Sequence, residues 1–439
     1  MRFFNREKEI DKLHGIQQRS LENAQMTVVT GRRRIGKTQL LLKATEGETT
    51  LYFFVARKAE PLLCEDFQRE VAEKLKVPIM GQITSFSVLF DYLMKLSIEK
   101  PFNLIIDEFQ EFYNVNPSVY SDMQKIWDLN KDKSKINLLL SGSVYSLMHK
   151  IFEGAKEPLF GRATNFMKVR PFRTFTLKEI LAEYHPDYTK EDLLALYTFT
   201  GGVAKYVQVL IDNKAFTMEG IIEYMIQEDS TFIGEGKNML VEEFGKEYTI
   251  YFTILATIAR GENTRAKIEA VVEKEIGGYL TRLERDFSLI KKTTPIFSKV
   301  ESKNVRYELS DNFLTFWFRF IYKYGYILEV GAYGELRELI KRDYPTYSGR
   351  ILEKYFYQKF AEEQIYTRIG SFWNRKGHNE IDLIAVSEIR KEAVIAEIKR
   401  NEANIDMEIL KEKGITFLKA SGELKGYEIK YVGLSMKDL

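Results

Sequence analysis

Four apolar runs stand out early in the chain: MTVVT (Met26–Thr30), LYFFV (Leu51–Val55), NLIID (Asn103–Asp107) and INLLLSG (Ile136–Gly142). Runs without alternation suit strands buried on both faces of a parallel sheet, since only a half-exposed strand needs polar residues at every second position. Between the runs the period changes. In PLLCEDFQREVAEKL, Leu63, Phe67, Val71 and Leu75 recur every fourth residue, which gathers them on one side of a helix. Strand and helix patterns alternate in this way over residues 1–175, predicting an α/β domain with a mostly parallel sheet.

After RPFRTFTLKEI (Arg170–Ile180) the strand runs fade. Residues 176–245 read as helical, with a break at Gly201-Gly202. Residues 246–335 begin with FTILATIA, continue through IGGYLTRLERDFSLI as a third helix, and end in PIFSKVESKNVRYELS, which reads as two strands around a polar turn. Three helices and a hairpin are the outline of a winged helix-turn-helix. The aromatic segment DNFLTFWFRFIYKYGYIL is expected to pack between domains. In the last unit, residues 345–439, GRILEKYFYQKFAEE predicts a helix, and EIDLIAV, EAVIAEIK and YEIKYVGLS predict strands.

Composition refines this picture. At 439 residues, 45% hydrophobic and 29% charged, the chain is globular and holds more than one domain. A formal net charge of +2 leaves any nucleic-acid site to a local patch. The single cysteine, Cys64, excludes an internal disulfide and a cysteine-rich zinc site. With no secretory core at MRFFNREKEI and no apolar run near ~18 residues, a cytoplasmic protein outside the membrane is expected.

The candidate chemistry begins at TGRRRIGKTQLL. Residues Gly31 to Thr38 satisfy G-x-x-x-x-G-K-[ST], preceded by a strand and followed by a helix. Gly31 and Gly36 allow the turn that aims backbone N–H groups at phosphate. Lys37 is placed for the β- and γ-phosphates and Thr38 for Mg²⁺, while Arg32, Arg33, Arg34, Ile35 and Gln39 complete the expected contact segment. The three arginines are not needed for that chemistry and read mainly as solvated or paired with carboxylates; contact with nucleic acid is the lesser reading. NLIIDEFQEF then ends a strand in Asp107-Glu108, with Asp107 expected in the Mg²⁺ shell and Glu108 expected to polarise the attacking water. In LLLSGS, Ser141 or Ser143 is placed to meet the γ-phosphate or the water, and Arg162 in LFGRATNF is a candidate transition-state arginine, in cis or from a neighbour.

Together FFNREKEID, GRRRIGKTQLL, LIIDEFQEF, LLLSGSVYSLM, PLFGRATNFMKVRPF and TGGVAKYV resemble the archaeal-type AAA+/STAND ATPases, with the likeness extending over the whole chain. The resemblance implies a RecA-like core, a helical lid and a winged helix, with Arg6 to Ile10 beside the adenine. The lid motif of that family carries proline where this chain has Ala204, which predicts a looser turn after Gly202.

In the tail, Asp382 precedes Glu397-Ile398-Lys399. Glu397 and Lys399 fall on one face of a strand, and Asp382 on the preceding strand can oppose them. Two carboxylates and a lysine suit Mg²⁺ binding and water activation against a phosphodiester; Glu-x-Lys on a strand is also common as a solvated face. The pattern resembles the PD-(D/E)xK nuclease fold, whose active residues match Glu353, Asp382, Glu397 and Lys399; His378 and Glu380 are accessory candidates. Arg265, Lys267, Arg282 and Arg285 are candidate phosphate contacts in the winged helix. The expectation is therefore an ATPase using ATP and Mg²⁺ and coupled to a DNA-directed tail. The alternative is a signalling or scaffold NTPase with a catalytically silent tail, whose partner is a second copy or another protein.

Overall fold

The computed structural model describes residues 1–77, 81–244, 248–299, 301–374 and 379–439. They divide into a unit of Arg2–Arg170 and a unit of Pro171–Leu439, which also includes Met1.

In the first unit, β1 (Gln25–Thr30), β2 (Thr50–Phe54), β3 (Phe102–Asp107), β4 (Ile136–Ser141) and β5 (Asn165–Lys168) form one sheet in the order β2-β3-β4-β1-β5. Every neighbouring pair is parallel. The continuous apolar runs are explained by burial: every residue of β3 and β4 is buried, as a central strand with covered faces requires. The helix Glu60–Leu75 does bury Leu63, Phe67, Val71 and Leu75, and Phe67 stacks on Phe53 of β2 at 4.2 Å. Two elements escaped the pattern. The edge strand β5 buries only Met167 and so shows no apolar run. The helix Phe86–Glu99 covers the same core with Phe86, Leu89, Phe90, Leu93 and Met94.

The second unit contains all three segments expected as a lid, a winged helix and a tail. Helices Tyr248–Ala259, Arg265–Val272 and Gly277–Arg285 are followed by the antiparallel pair β6 (Ile290–Thr293) and β7 (Arg306–Leu309). The first hairpin strand thus lies upstream of PIFSKV. Pro295 has no N–H to donate to a ladder, and Ile296 instead donates its N–H to Ser371 O and packs on the tail core. The aromatic segment is the common packing centre. Phe316 meets Phe199 at 4.8 Å, Phe313 meets Tyr206 at 4.5 Å, Phe318 meets Phe252 at 5.5 Å and Phe320 meets Tyr347 at 5.3 Å. These contacts join all three segments into one body.

The turn at Gly201-Gly202 is not loosened by Ala204. Gly202 has φ +75, and an added Cβ would lie 2.5 Å from Phe172 O. Phe172 N donates to Gly202 O at 2.8 Å, and Gly202 N donates to Thr200 Oγ1 at 3.1 Å. Ala204 opens the helix Ala204–Asp212, at the position where proline is tolerated because that N–H has no intrahelical partner. Alanine meets the same requirement.

The tail begins with the long helix Tyr333–Glu362, followed by β8 (Arg368–Trp373), β9 (Glu380–Ser387), β10 (Glu392–Ile398), the helix Met407–Ser421 and β11 (Glu428–Leu434). The sheet order is β11-β10-β9-β8. Only β10 and β11, joined through the helix, are parallel. Strand β8, missed in the sequence, is largely half-exposed and lacks an apolar run.

Candidate functional site

The loop after β1 has the backbone that its glycines permit. Gly36 has φ +93 and caps the helix Lys37–Ala44; Gly31 has φ +152, and an added Cβ there would sit 2.7 Å from Val169 O. Ile35 is buried and anchors the loop, Arg32, Arg33 and Arg34 are half-buried, and Gln39 is exposed. Lys37 is buried and its ammonium donates to Gly31 O at 2.9 Å and Arg32 O at 3.1 Å. Its charge thus lies within the loop, against two of the loop's carbonyls.

Asp107 ends the central strand β3 and gathers hydroxyls from three other elements. Thr38 Oγ1 donates to Asp107 Oδ2 at 2.6 Å and Tyr52 Oη to the same oxygen at 3.0 Å, while Ser141 Oγ donates to Oδ1. Burial, and then the Asp107 charge, push the Tyr52 phenol well above its ordinary range. Glu108 has φ +53, which turns the chain sharply off the strand. Its Oε2 accepts from Ser143 Oγ at 2.6 Å and from Gln110 Nε2 at 2.5 Å. The two serines therefore divide the work: Ser141 holds Asp107 and Ser143 holds Glu108. Tyr52 and Gln110 were not legible as site residues. Tyr52 is hidden in an apolar run, and the contact arises only when β2 pairs with β3.

Arg162 is placed elsewhere. It donates to Phe160 O at 2.8 Å and to Asp128 Oδ2 at 3.2 Å. It precedes β5, whose Asn165 registers with Thr27 near the start of β1, whereas the phosphate loop leaves the end of β1. At ~3.3 Å per strand residue the start of β5 and the loop lie toward opposite ends of these neighbouring strands, about 15 Å apart. In this structure its guanidinium is engaged by Phe160 O and Asp128.

In the tail, the expected opposition across the hairpin is present. Asp382 and Glu397 lie one step beyond the registered pair Ala396↔Leu383. Lys399 Nζ lies 3.1 Å from Asp382 Oδ2 and 3.3 Å from Glu397 Oε1, and Asp382 also accepts from Ile398 N at 2.8 Å. Burial works against the Lys399 charge, yet Asp382 and then Glu397 outweigh it and hold its pKa above the ordinary lysine value. Burial, and then Asp382, push Glu353 up to about 8 against the opposing effect of Lys399, which brings it into the same cluster. Lys413, from the helix Met407–Ser421, lies 3.6 Å from Glu397 Oε1 and was not foreseen. Glu397 Oε2 is buried and has no hydrogen-bond partner among the described residues. Glu380 is drawn instead to Arg306 at 2.6 Å, and His378 lies outside the described residues. Among the described residues, no group of three or more His, Cys, Asp or Glu side chains is arranged to hold a metal ion. Lys399 lies between the two carboxylates expected as metal ligands, Asp382 and Glu397.

Two of the four basic residues expected to meet phosphates are paired with carboxylates. Arg265 pairs with Glu269 at 2.7 Å and Lys267 with Glu262 at 2.8 Å. Arg282 donates to Tyr251 Oη at 3.3 Å, and Arg285 is exposed. No helix of the described residues is long and apolar enough to cross a membrane.

A family model described as an ATPase domain predominantly from Archaea matches residues 3–210, and one described as archaeal and bacterial proteins of unknown function matches residues 317–412. An uncharacterized protein of Methanocaldococcus jannaschii is 30% identical over 407 residues, covering 90% of this chain and 87% of its own. Among solved structures, a Walker-type ATPase of Pyrococcus abyssi aligns with TM-score 0.55 and 21% identity, over 72% of this chain and 96% of that one. The ORC2 protein of Aeropyrum pernix, solved as ADPNP–ADP complexes, aligns with TM-score 0.50 and 16% identity, over 74% and 95%. At these identities the two structures support the fold alone.

Proposed function

Since the chain belongs to one family with its Methanocaldococcus relative and its residues 3–210 match the ATPase domain found predominantly in Archaea, we propose that it binds ATP with Mg²⁺ at the Gly31–Thr38 loop and hydrolyses it. The observation that carries this reading is the Thr38–Asp107 hydrogen bond, which joins the loop after β1 to the end of β3 across the intervening β4, with Glu108 and the buried Lys37 next in sequence to these two residues. Loop N–H groups and the Lys37 ammonium bind the phosphates. Thr38 and Asp107 offer only hard oxygen donors, which suit Mg²⁺, and these residues would hold it. Held by Thr38 and Asp107, Mg²⁺ would supply neutralisation of phosphate charge. Glu108, fixed by Ser143 and Gln110, orients and polarises the attacking water. The test is ATP binding and turnover by wild type and Lys37→Ala; equal turnover would remove the site from the reaction.

The tail is proposed to be a PD-(D/E)xK-like module that acts on DNA under control of the nucleotide state, with the preceding three helices and hairpin read as a winged helix. Its support is the helix–three strands–helix–strand order together with Asp382, Glu397 and Lys399 on one surface. A second reading, a catalytically silent interaction module, is favoured by Lys413, which adds a second ammonium to Glu397. Plasmid incubated with Mg²⁺ or Mn²⁺ separates the two. Metal-dependent nicking lost in Asp382→Ala supports the first reading, and no nicking with or without ATP supports the second.

A further inference from the structure

Asp107 receives one hydroxyl that the phosphate loop and its neighbouring strand do not account for. Tyr52 lies on the edge strand β2, registered with Ile105, two residues before Asp107. Both side chains therefore leave the sheet on the same face, while Leu51 and Phe53, on the opposite face, are buried in the core. The Tyr52 hydroxyl is thereby delivered to Asp107 Oδ2, the oxygen that also accepts from Thr38. Thr38 has two duties in the proposed reaction, since its oxygen is offered to Mg²⁺ and its proton to Asp107. Ser141 engages only the other oxygen, Oδ1, which also accepts from Glu108 N at 3.0 Å. Of the side chains on Oδ2, Tyr52 alone is committed to the carboxylate and not to the ion.

We propose that Tyr52 is a positioning residue for the Mg²⁺ site: its hydroxyl fixes the Asp107 carboxylate so that Oδ2 keeps its orientation when Thr38 turns toward the ion. The inference rests on the ATP·Mg²⁺ reading above. It goes beyond that reading by tying the edge strand, which carries no loop motif, to the metal requirement. The ring of Tyr52 also lines a cavity of about 260 Å³ with Leu42, Thr50 and Glu70. Phenylalanine preserves that lining and removes only the hydroxyl.

The experiment is a Mg²⁺ titration of ATP turnover by the full chain, wild type against Tyr52→Phe, alongside binding of a fluorescent ATP analogue in EDTA. Loss of one hydrogen bond to a charged acceptor predicts that half-saturating Mg²⁺ rises about tenfold. Turnover at saturating Mg²⁺ should largely recover, and metal-free nucleotide affinity should be unchanged. An unchanged Mg²⁺ requirement overturns the proposal, and so does equal weakening of metal-free binding, which would mark a general structural role. If wild type shows no Mg²⁺-dependent turnover, the ATPase reading fails and takes this inference with it; an active wild type with an unaltered Tyr52→Phe titration sinks the positioning role alone.

Discussion

Glu353 makes the stability of the second unit depend on pH in an unusual direction. Its carboxyl sits on the long helix near Asp382, with Glu380 and Glu308 adding further negative charge and Lys399 opposing them. Burial and Asp382 push it from the ordinary 4.5 to about 8. The folded chain therefore keeps this proton to higher pH than the unfolded chain does. The stability it contributes is complete below pH ~4.5 and is lost as pH rises through about 8. At ~1.4 kcal/mol per tenfold change in proton affinity, the upper figure is about 5 kcal/mol, and partial exposure of Glu353 to solvent reduces it to roughly 3–5 kcal/mol. Glu353→Gln keeps the shape and removes the titration. Urea unfolding in EDTA at pH 5.5, 7 and 9 tests this, in a Trp127→Phe background where Trp317 and Trp373 report on the second unit alone. Wild type should lose stability relative to Glu353→Gln across that range. Parallel pH profiles for the two proteins would refute the reasoning.

Other perturbations separate the remaining roles. Lys37→Ala removes charge-assisted bonds to phosphate and should weaken ATP by about 10²-fold, read by equilibrium binding. Glu108→Gln should leave nucleotide affinity near wild type and lower kcat by ~10²–10⁴-fold in steady-state turnover, if water activation is its task. Gly202→Ala places a methyl group 2.5 Å from Phe172 O at a positive φ and should destabilise the second unit by about 1–3 kcal/mol in urea melts. Ala204→Pro at the first position of its helix should instead stabilise by about 0.5–1 kcal/mol, because Val203 already has the extended backbone (φ −66, ψ 118) that precedes proline.

The sequence by itself determined whatever local rules govern. Central strands buried on both faces need uninterrupted apolar runs, so β1, β3 and β4 were visible; the edge strand β2 carries such a run although its burial alternates, whereas β5 and β8, also at sheet edges, lack one. The phosphate loop was legible because backbone curvature demands Gly31 and Gly36 at fixed spacing around Lys37 and Thr38. Asp107, Glu108, Asp382 and Glu397 could be singled out because carboxylates inside apolar runs need a purpose. Their partners were decided only by tertiary structure. Tyr52 reaches Asp107 through pairing of β2 with β3, strands separated by two helices, and Lys413 reaches Glu397 from a helix that packs back on the tail sheet. Arg162, a candidate transition-state arginine by sequence, is placed by the parallel register before the start of β5, toward the end of the sheet away from the loop, where it meets Asp128. Register and packing act between residues far apart in the chain, and a hydrogen bond closed across strands leaves no periodic trace in either one.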